Sequence, residues 1–189
     1  MSKTILKLSG VLLVITSVVA LLLGSVNAMT KDIIAENMIR KTNEAMQEIV
    51  PGCMPGETID LPDWADSAVT EAREYTQNGE YAGMFVKVTP VGFGGKIEMI
   101  VGVCADGSVG GVRITDHGET AGLGAKAADI GWLSQFKGKT EGVEVIKNSV
   151  PSGNQVQAVT SATVTSKAVT LGVNEAIEFV MEYQKEVGR

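Results

Sequence analysis

The sequence predicts an α+β domain, a mostly antiparallel sheet flanked by helices, behind one N-terminal transmembrane helix. Three observations carry this. No charged residue occurs from Leu8 to Met29. Residues 81–115 read as strands separated by Gly-rich turns, with a hairpin signal at Asp106-Gly107. From Thr163 to about Val187, apolar residues recur at helical spacing. With 189 residues, 44% hydrophobic and 20% charged, there is room for one globular domain and an appendage. The expected divisions are a cytoplasmic N-terminus over 1–7, a transmembrane helix over 8–29, a helical connecting segment packed on the domain over 30–80, and the domain over 81–189.

The uncharged run is long enough for a bilayer, since about 20 helical residues cross a hydrocarbon core of roughly 30 Å. Lys3 and Lys7 precede it. By the positive-inside rule the N-terminus stays cytoplasmic and the chain after Thr30 lies outside. The alternative is a cleaved signal peptide ending at Val26-Asn27-Ala28. The run exceeds the usual signal core of about 7–15 residues, and the helical pattern continues beyond it, which favours a retained anchor. Thr30 is placed to cap the following helix, with Asp32 in its first turn. Ile33, Ile34, Met38, Ala45, Met46 and Ile49 form its apolar stripe, and Pro51-Gly52 ends it. A loop over 51–63 and a short helix from Trp64 to Tyr75 are expected next, then a turn at Gln77-Asn78-Gly79.

Strands are expected over Tyr81–Thr89, Lys96–Ala105 and Ser108–Thr115, the last two joined by a type I′ turn at Asp106-Gly107. Asp129 to Phe136 reads as a short helix, and Gly142–Asn148 and Val156–Val159 as short strands. The inner face of the last helix is assigned to Val164, Ala168, Leu171, Ala176, Ile177, Val180 and Met181.

Charge and composition exclude several functions. All 22 acidic residues follow Lys31, with only 13 of the 16 basic ones. That balance argues against nucleic acid and leaves room for a basic protein partner. Cys53 and Cys104 have no CxxC spacing, and His117 is the single histidine, so no metal site is expected. Whether the two cysteines pair is open.

Two stretches carry chemistry. His117-Gly118-Glu119-Thr120-Ala121-Gly122-Leu123-Gly124 has three glycines in seven positions, which permit sharp turns or close approach. Thr160-Ser161-Ala162-Thr163-Val164-Thr165-Ser166 is small and hydroxyl-rich at the start of the last helix. These hydroxyls suit a helix cap. The same geometry suits a phosphate, because helix N-termini present free N–H donors and partial positive charge.

At this point the sequence resembles the FMN-binding domain family. Thr160-Ser161-Ala162-Thr163 is similar to that family's [S/T]-G-A-T motif, and residues 117–124 to its H-x-E-T-P-G-L-G motif. Ser161 stands for the motif glycine, Ala121 for a proline, and Gln157 for an acidic residue often found upstream. Anchor and domain together resemble the G subunits of Rnf electron-transport complexes, and the longer C subunits of sodium-pumping NADH:quinone reductases. The resemblance implies FMN joined through its phosphate to Thr163. It implies a contact set of Thr160, Ser161, Ala162, Glu119, Thr120, Gly122, Leu123 and Gly124, without catalytic residues of its own. A plain threonine is a poor nucleophile, so a separate flavin transferase is implied. The partners implied are the other membrane subunits of an Rnf-type complex moving Na⁺ or H⁺ during ferredoxin–NAD electron transfer. A stand-alone membrane-anchored flavin reductase outside the cytoplasm, or a binding domain whose hydroxyls only cap a helix, are the alternatives.

Overall fold

The computed structural model describes residues 2–147 and 149–188, with side chains from Ile5 onward apart from Ala35. The chain divides into two compact units, Met1–Lys41 and Thr42–Arg189. The first unit is helix. It forms most of α1, Ser2–Ile49, the one helix among the described residues long and apolar enough to cross a membrane. Leu12, Leu13, Leu21 and Leu22 are all exposed, as a lipid-facing helix requires. Thr30 does not cap a new helix. Its Oγ1 donates to the Val26 carbonyl at 2.9 Å, so the helix runs on unbroken. Ile33, Ile34 and Met38 are exposed, and only Ala45, Met46 and Ile49 of the expected stripe are buried.

The second unit is built on a five-stranded antiparallel sheet in the order β1-β2-β3-β4-β5. The strands are β1 Met54–Thr58, β2 Val69–Gln77, β3 Glu80–Val88, β4 Ile97–Cys104 and β5 Val109–His117. Side chains alternate between the two faces of a strand, and here both faces are covered. Met84, Val86, Val88, Met99, Val101 and Val103 point to one side, under the C-terminal helix α3, Thr163–Glu186. Tyr75, Phe85 and Ile100 belong to a second cluster with Ala45, Met46 and Ile49 from the end of α1. Each such fully buried aliphatic side chain is worth about 1.5–3 kcal/mol, so β3 and β4 hold both layers together. A short helix α2, Ile130–Leu133, lies between 3₁₀ turns, and β6 Glu144–Ile146 pairs in parallel with β7 Gln155–Gln157. The strand expected over 142–148 thus shrinks to three residues, and its end at Asn148 lies outside the described residues.

Four local expectations change. Residues 64–75 are not helical: most of that stretch is β2. The buried residues Val69, Ala72 and Tyr75 recur every third position because the pairing with β3 slips at Val69/Glu71, which sets Val69 and Ala72 in one cluster, and because Tyr75 packs into the cluster on the opposite face. A bulge in a strand covered on both faces imitates a helical period. The expected loop over 51–63 contains β1, an edge strand, where Pro55 leaves no inner ladder unpaired. The hairpin turns trade places. Asn78 and Gly79 both have positive φ, as a type I′ turn requires, and they join β2 to β3. Between β4 and β5 only Gly107 has positive φ, and the Gly107 N–H bonds the Cys104 carbonyl in a three-residue turn. Finally, Val164 and Leu171 are each 55% exposed. Their places on the inner face of α3 go to Thr165, Ser166, Val169, Thr170, Gly172 and Val173.

Candidate functional site

Three segments meet at the first turn of α3: the 90–97 loop between β3 and β4, the 117–124 loop after β5, and the 158–166 turn after β7. Glu119 joins them. Its Oε1 accepts the Gly94 N–H at 2.8 Å, and its Oε2 accepts the Thr165 hydroxyl at 2.6 Å. Glu119 is 9% exposed, and its backbone N–H donates to His117 Nδ1 at 3.3 Å. Glu119 therefore faces inward as a cross-link.

The hydroxyls of the 160–170 segment fall into two sets. Thr165, Ser166 and Thr170 are buried and bonded. Ser166 Oγ donates to the Ala162 carbonyl and accepts the Val159 N–H, each at 2.9 Å, and Thr170 donates to the Ser166 carbonyl at 2.9 Å. Thr160, Ser161 and Thr163 make no side-chain hydrogen bond among the described residues. The helix-cap reading fails here: Ala162 is the N-cap residue, and no side chain caps α3. The N–H groups of a first turn have no partner inside their own helix, so this end offers donors and partial positive charge to an anion. Thr163, the first helical residue, carries a free hydroxyl at that end. Ser161 has φ 64°. A side chain in this left-handed region costs about 1–2 kcal/mol, which explains a glycine at the corresponding place in the motif it resembles.

Beside this turn opens a cleft of about 840 Å³, lined by Gly122, Lys126, Trp132, Gln135, Gln157 and Thr160 among others. Trp132 Nε1 donates to the Gln157 carbonyl at 2.7 Å, and the Gln157 N–H donates to Gln135 Oε1 at 2.8 Å. These bonds fix the wall and leave the Gln157 side chain exposed. The volume suits a cofactor-sized ligand. Of the residues expected from sequence, Gly122 and Thr160 line it; Glu119, Thr120, Leu123, Gly124, Ser161, Ala162 and Thr163 do not. Thr120 and Leu123 are exposed on the loop, while Gly124 and Ala162 are buried. Lys126, Trp132 and Gln135 enter the site only through folding. Trp132 is visible in the sequence as an aromatic in a short helix, without a sign of what it faces.

Cys53 and Cys104 are both free thiols. No group of three or more metal-ligating side chains occurs among the described residues.

Comparison with known proteins agrees with this geometry. The FMN-binding domain family matches residues 92–178, and the RnfG N-terminal region matches residues 1–49. The G subunit of the Na⁺-translocating ferredoxin:NAD⁺ oxidoreductase complex of Acetobacterium woodii is 35% identical over 97% of this chain and 95% of that protein. The G subunit of the proton-translocating ferredoxin:NAD⁺ oxidoreductase complex of Clostridium ljungdahlii is 46% identical over 49% of this chain and 50% of that protein. The crystal structure of Shewanella oneidensis NqrC shares the fold, with a TM-score of 0.57 at 24% identity over 71% of this chain and 72% of that one. Long helix, five-stranded sheet, uncapped α3 and whole-length similarity lead to one assignment: the chain belongs to the family of G subunits of ion-translocating oxidoreductase complexes and carries an FMN-binding domain.

Proposed function

We propose that this protein carries FMN as a phosphoester on Thr163 and relays electrons within a complex that couples ferredoxin–NAD electron transfer to movement of Na⁺ or H⁺. The observation that carries the proposal is the free Thr163 hydroxyl at the uncapped N-terminus of α3. The residues present fit the group. The first-turn N–H groups suit a phosphate, and the small side chains of Ser161 and Ala162 let it approach. The neighbouring cleft, with Trp132 on its wall, has room for a flat ring system. Lys126 adds a positive charge at the cleft. Bound FMN would supply the one- and two-electron chemistry, and the protein's part is to hold and orient it. No described base bonds the Thr163 hydroxyl, so attachment requires a separate flavin transferase. Lys3 and Lys7 favour a cytoplasmic N-terminus, with the domain on the other side of the membrane. The acidic domain has no use for nucleic acid as a partner and suits docking to the other subunits of the complex.

Intact-mass analysis of the chain purified from its native membrane tests this. The expected result is a gain equal to FMN less one water, mapped by fragmentation to Thr163. Thr163→Ala should lose all covalent flavin while unfolding within about 0.5 kcal/mol of wild type, as for a surface side chain without bonds. A Thr163→Ala chain that still carries covalent flavin overturns the assignment.

A further inference from the structure

We infer that Glu119 and Thr165 are positioning residues for the flavin-bearing turn: the Glu119 carboxylate holds Thr165 on one side and Gly94 on the other, and so sets where Thr163 and its helix end stand. The inference rests on the reading of Thr163 as the flavin carrier.

The geometry is specific. Thr165 lies two residues after Thr163, in the same first turn of α3. Its hydroxyl donates to Glu119 at 2.6 Å, the short distance of a charge-assisted bond. That bond fixes the rotation of the turn about the helix axis. It also draws the Thr165 hydroxyl away from the helix end, as the Ala162 carbonyl does for Ser166. The two buried hydroxyls nearest the first-turn N–H groups are thus engaged elsewhere, and those donors stay open for an anion.

The surroundings are shaped around the carboxylate. A Cβ on Gly124 would lie 2.3 Å from Glu119 Oε2 and 2.8 Å from Thr165 Oγ1. A Cβ on Gly92 would lie 2.3 Å from Glu119 Oε1. The 117–124 loop and the 92–95 loop both need glycine there for the carboxylate to reach across. No ion pair neutralises Glu119 among the described residues. A buried charge without a cation is unfavourable unless its hydrogen bonds are well met, and the two donors meet them.

The test uses the full-length chain from its native membrane, in wild-type, Thr165→Val, Thr165→Ser and Glu119→Gln forms. Three quantities are measured: covalent FMN per chain by intact mass, the midpoint potential of the attached flavin, and the melting temperature. Thr165→Val keeps the volume and removes the donor, so flavin content should fall about tenfold, or the potential should shift in the fraction that is loaded. Thr165→Ser restores the hydroxyl and should recover both. Glu119→Gln keeps one acceptor oxygen for Gly94 but turns a donor NH2 toward Thr165, so it weakens one of the two contacts and should fall between. A Thr165→Val chain with wild-type flavin content and potential, whatever its melting temperature, overturns the inference. Equal losses in Thr165→Val and Thr165→Ser overturn it too, because the hydrogen bond is then irrelevant. Wild-type chain without flavin fails the carrier reading itself and is distinguished by mass before any variant is compared.

Discussion

Two carboxylates, one packed against α3 and one carried by it, are treated by the fold in opposite ways. Glu119, at the first turn, accepts two hydrogen bonds from two different segments. Glu175, halfway along, has a buried Oε2 with no hydrogen-bond partner. It lines a second, smaller cavity with Trp64, Asp66, Glu178, Phe179 and Glu182. Burial first, and then the negative charges of Asp66 and Glu178, hold its carboxyl above the ordinary carboxylate range. The contrast separates a buried charge that organises a site from one that the fold merely tolerates. The first should be missed when removed, and the second should not.

Glu119→Ala is the strongest way to break that comparison. It leaves the buried Thr165 hydroxyl and the Gly94 N–H without their acceptor, which should cost about 2–4 kcal/mol, at roughly 1–3 per orphaned group less the relief of burying a charge. Urea unfolding of the full chain in detergent measures it, and a loss under about 1 kcal/mol would mean that the cross-link is dispensable. Gly124→Ala comes next. Its new Cβ would press on both Glu119 and Thr165, and overpacking of this kind should cost about 1–3 kcal/mol. Combined with Glu119→Ala, the penalty of Gly124→Ala should shrink, because one of the two atoms it strikes is gone.

Glu175→Gln is the smallest effect and has the opposite sign. A carboxyl whose folded pKa lies above its unfolded value contributes stability below the unfolded pKa, lost as pH rises through the folded one. Wild type and Glu175→Gln should therefore unfold alike in acid below the ordinary glutamate range. At neutral pH the variant should be the more stable. Thermal melts across pH decide it, and a variant less stable than wild type at neutral pH would show that Glu175 has a role the fold relies on.

Much of this was legible in the sequence because it depends on neighbours along the chain. The uncharged run over 8–29 is a helix whatever surrounds it. The apolar strands over 81–115 match β3, β4 and β5 to within two residues. The last helix begins at Thr163, as its pattern says. Errors arose where contacts across the sheet change the local rule. One bulge and the burial of both sheet faces gave β2 a three-residue burial period, and a three-residue turn over 105–107 stands where a type I′ turn at Asp106-Gly107 is expected. On α3, hydrophobicity pointed to Val164 and Leu171, but bonded hydroxyls at Thr165, Ser166 and Thr170 occupy the interior. A hydroxyl satisfied by a partner 46 positions away has no signature in its own neighbourhood.

The sequence by itself determined the class of fold, the membrane-length helix and the hydroxyl-rich start of the last helix. Each follows from composition, period or a motif read within a few turns of chain. Only the tertiary structure decided which of the clustered hydroxyls are free, that Glu119 faces inward to Thr165 and Gly94, and that Lys126, Trp132, Gln135 and Gln157 line the cleft. The physical reason is that burial and hydrogen-bond satisfaction belong to pairs of segments far apart in sequence. They exist only once β5, β7 and α3 are brought together over one sheet.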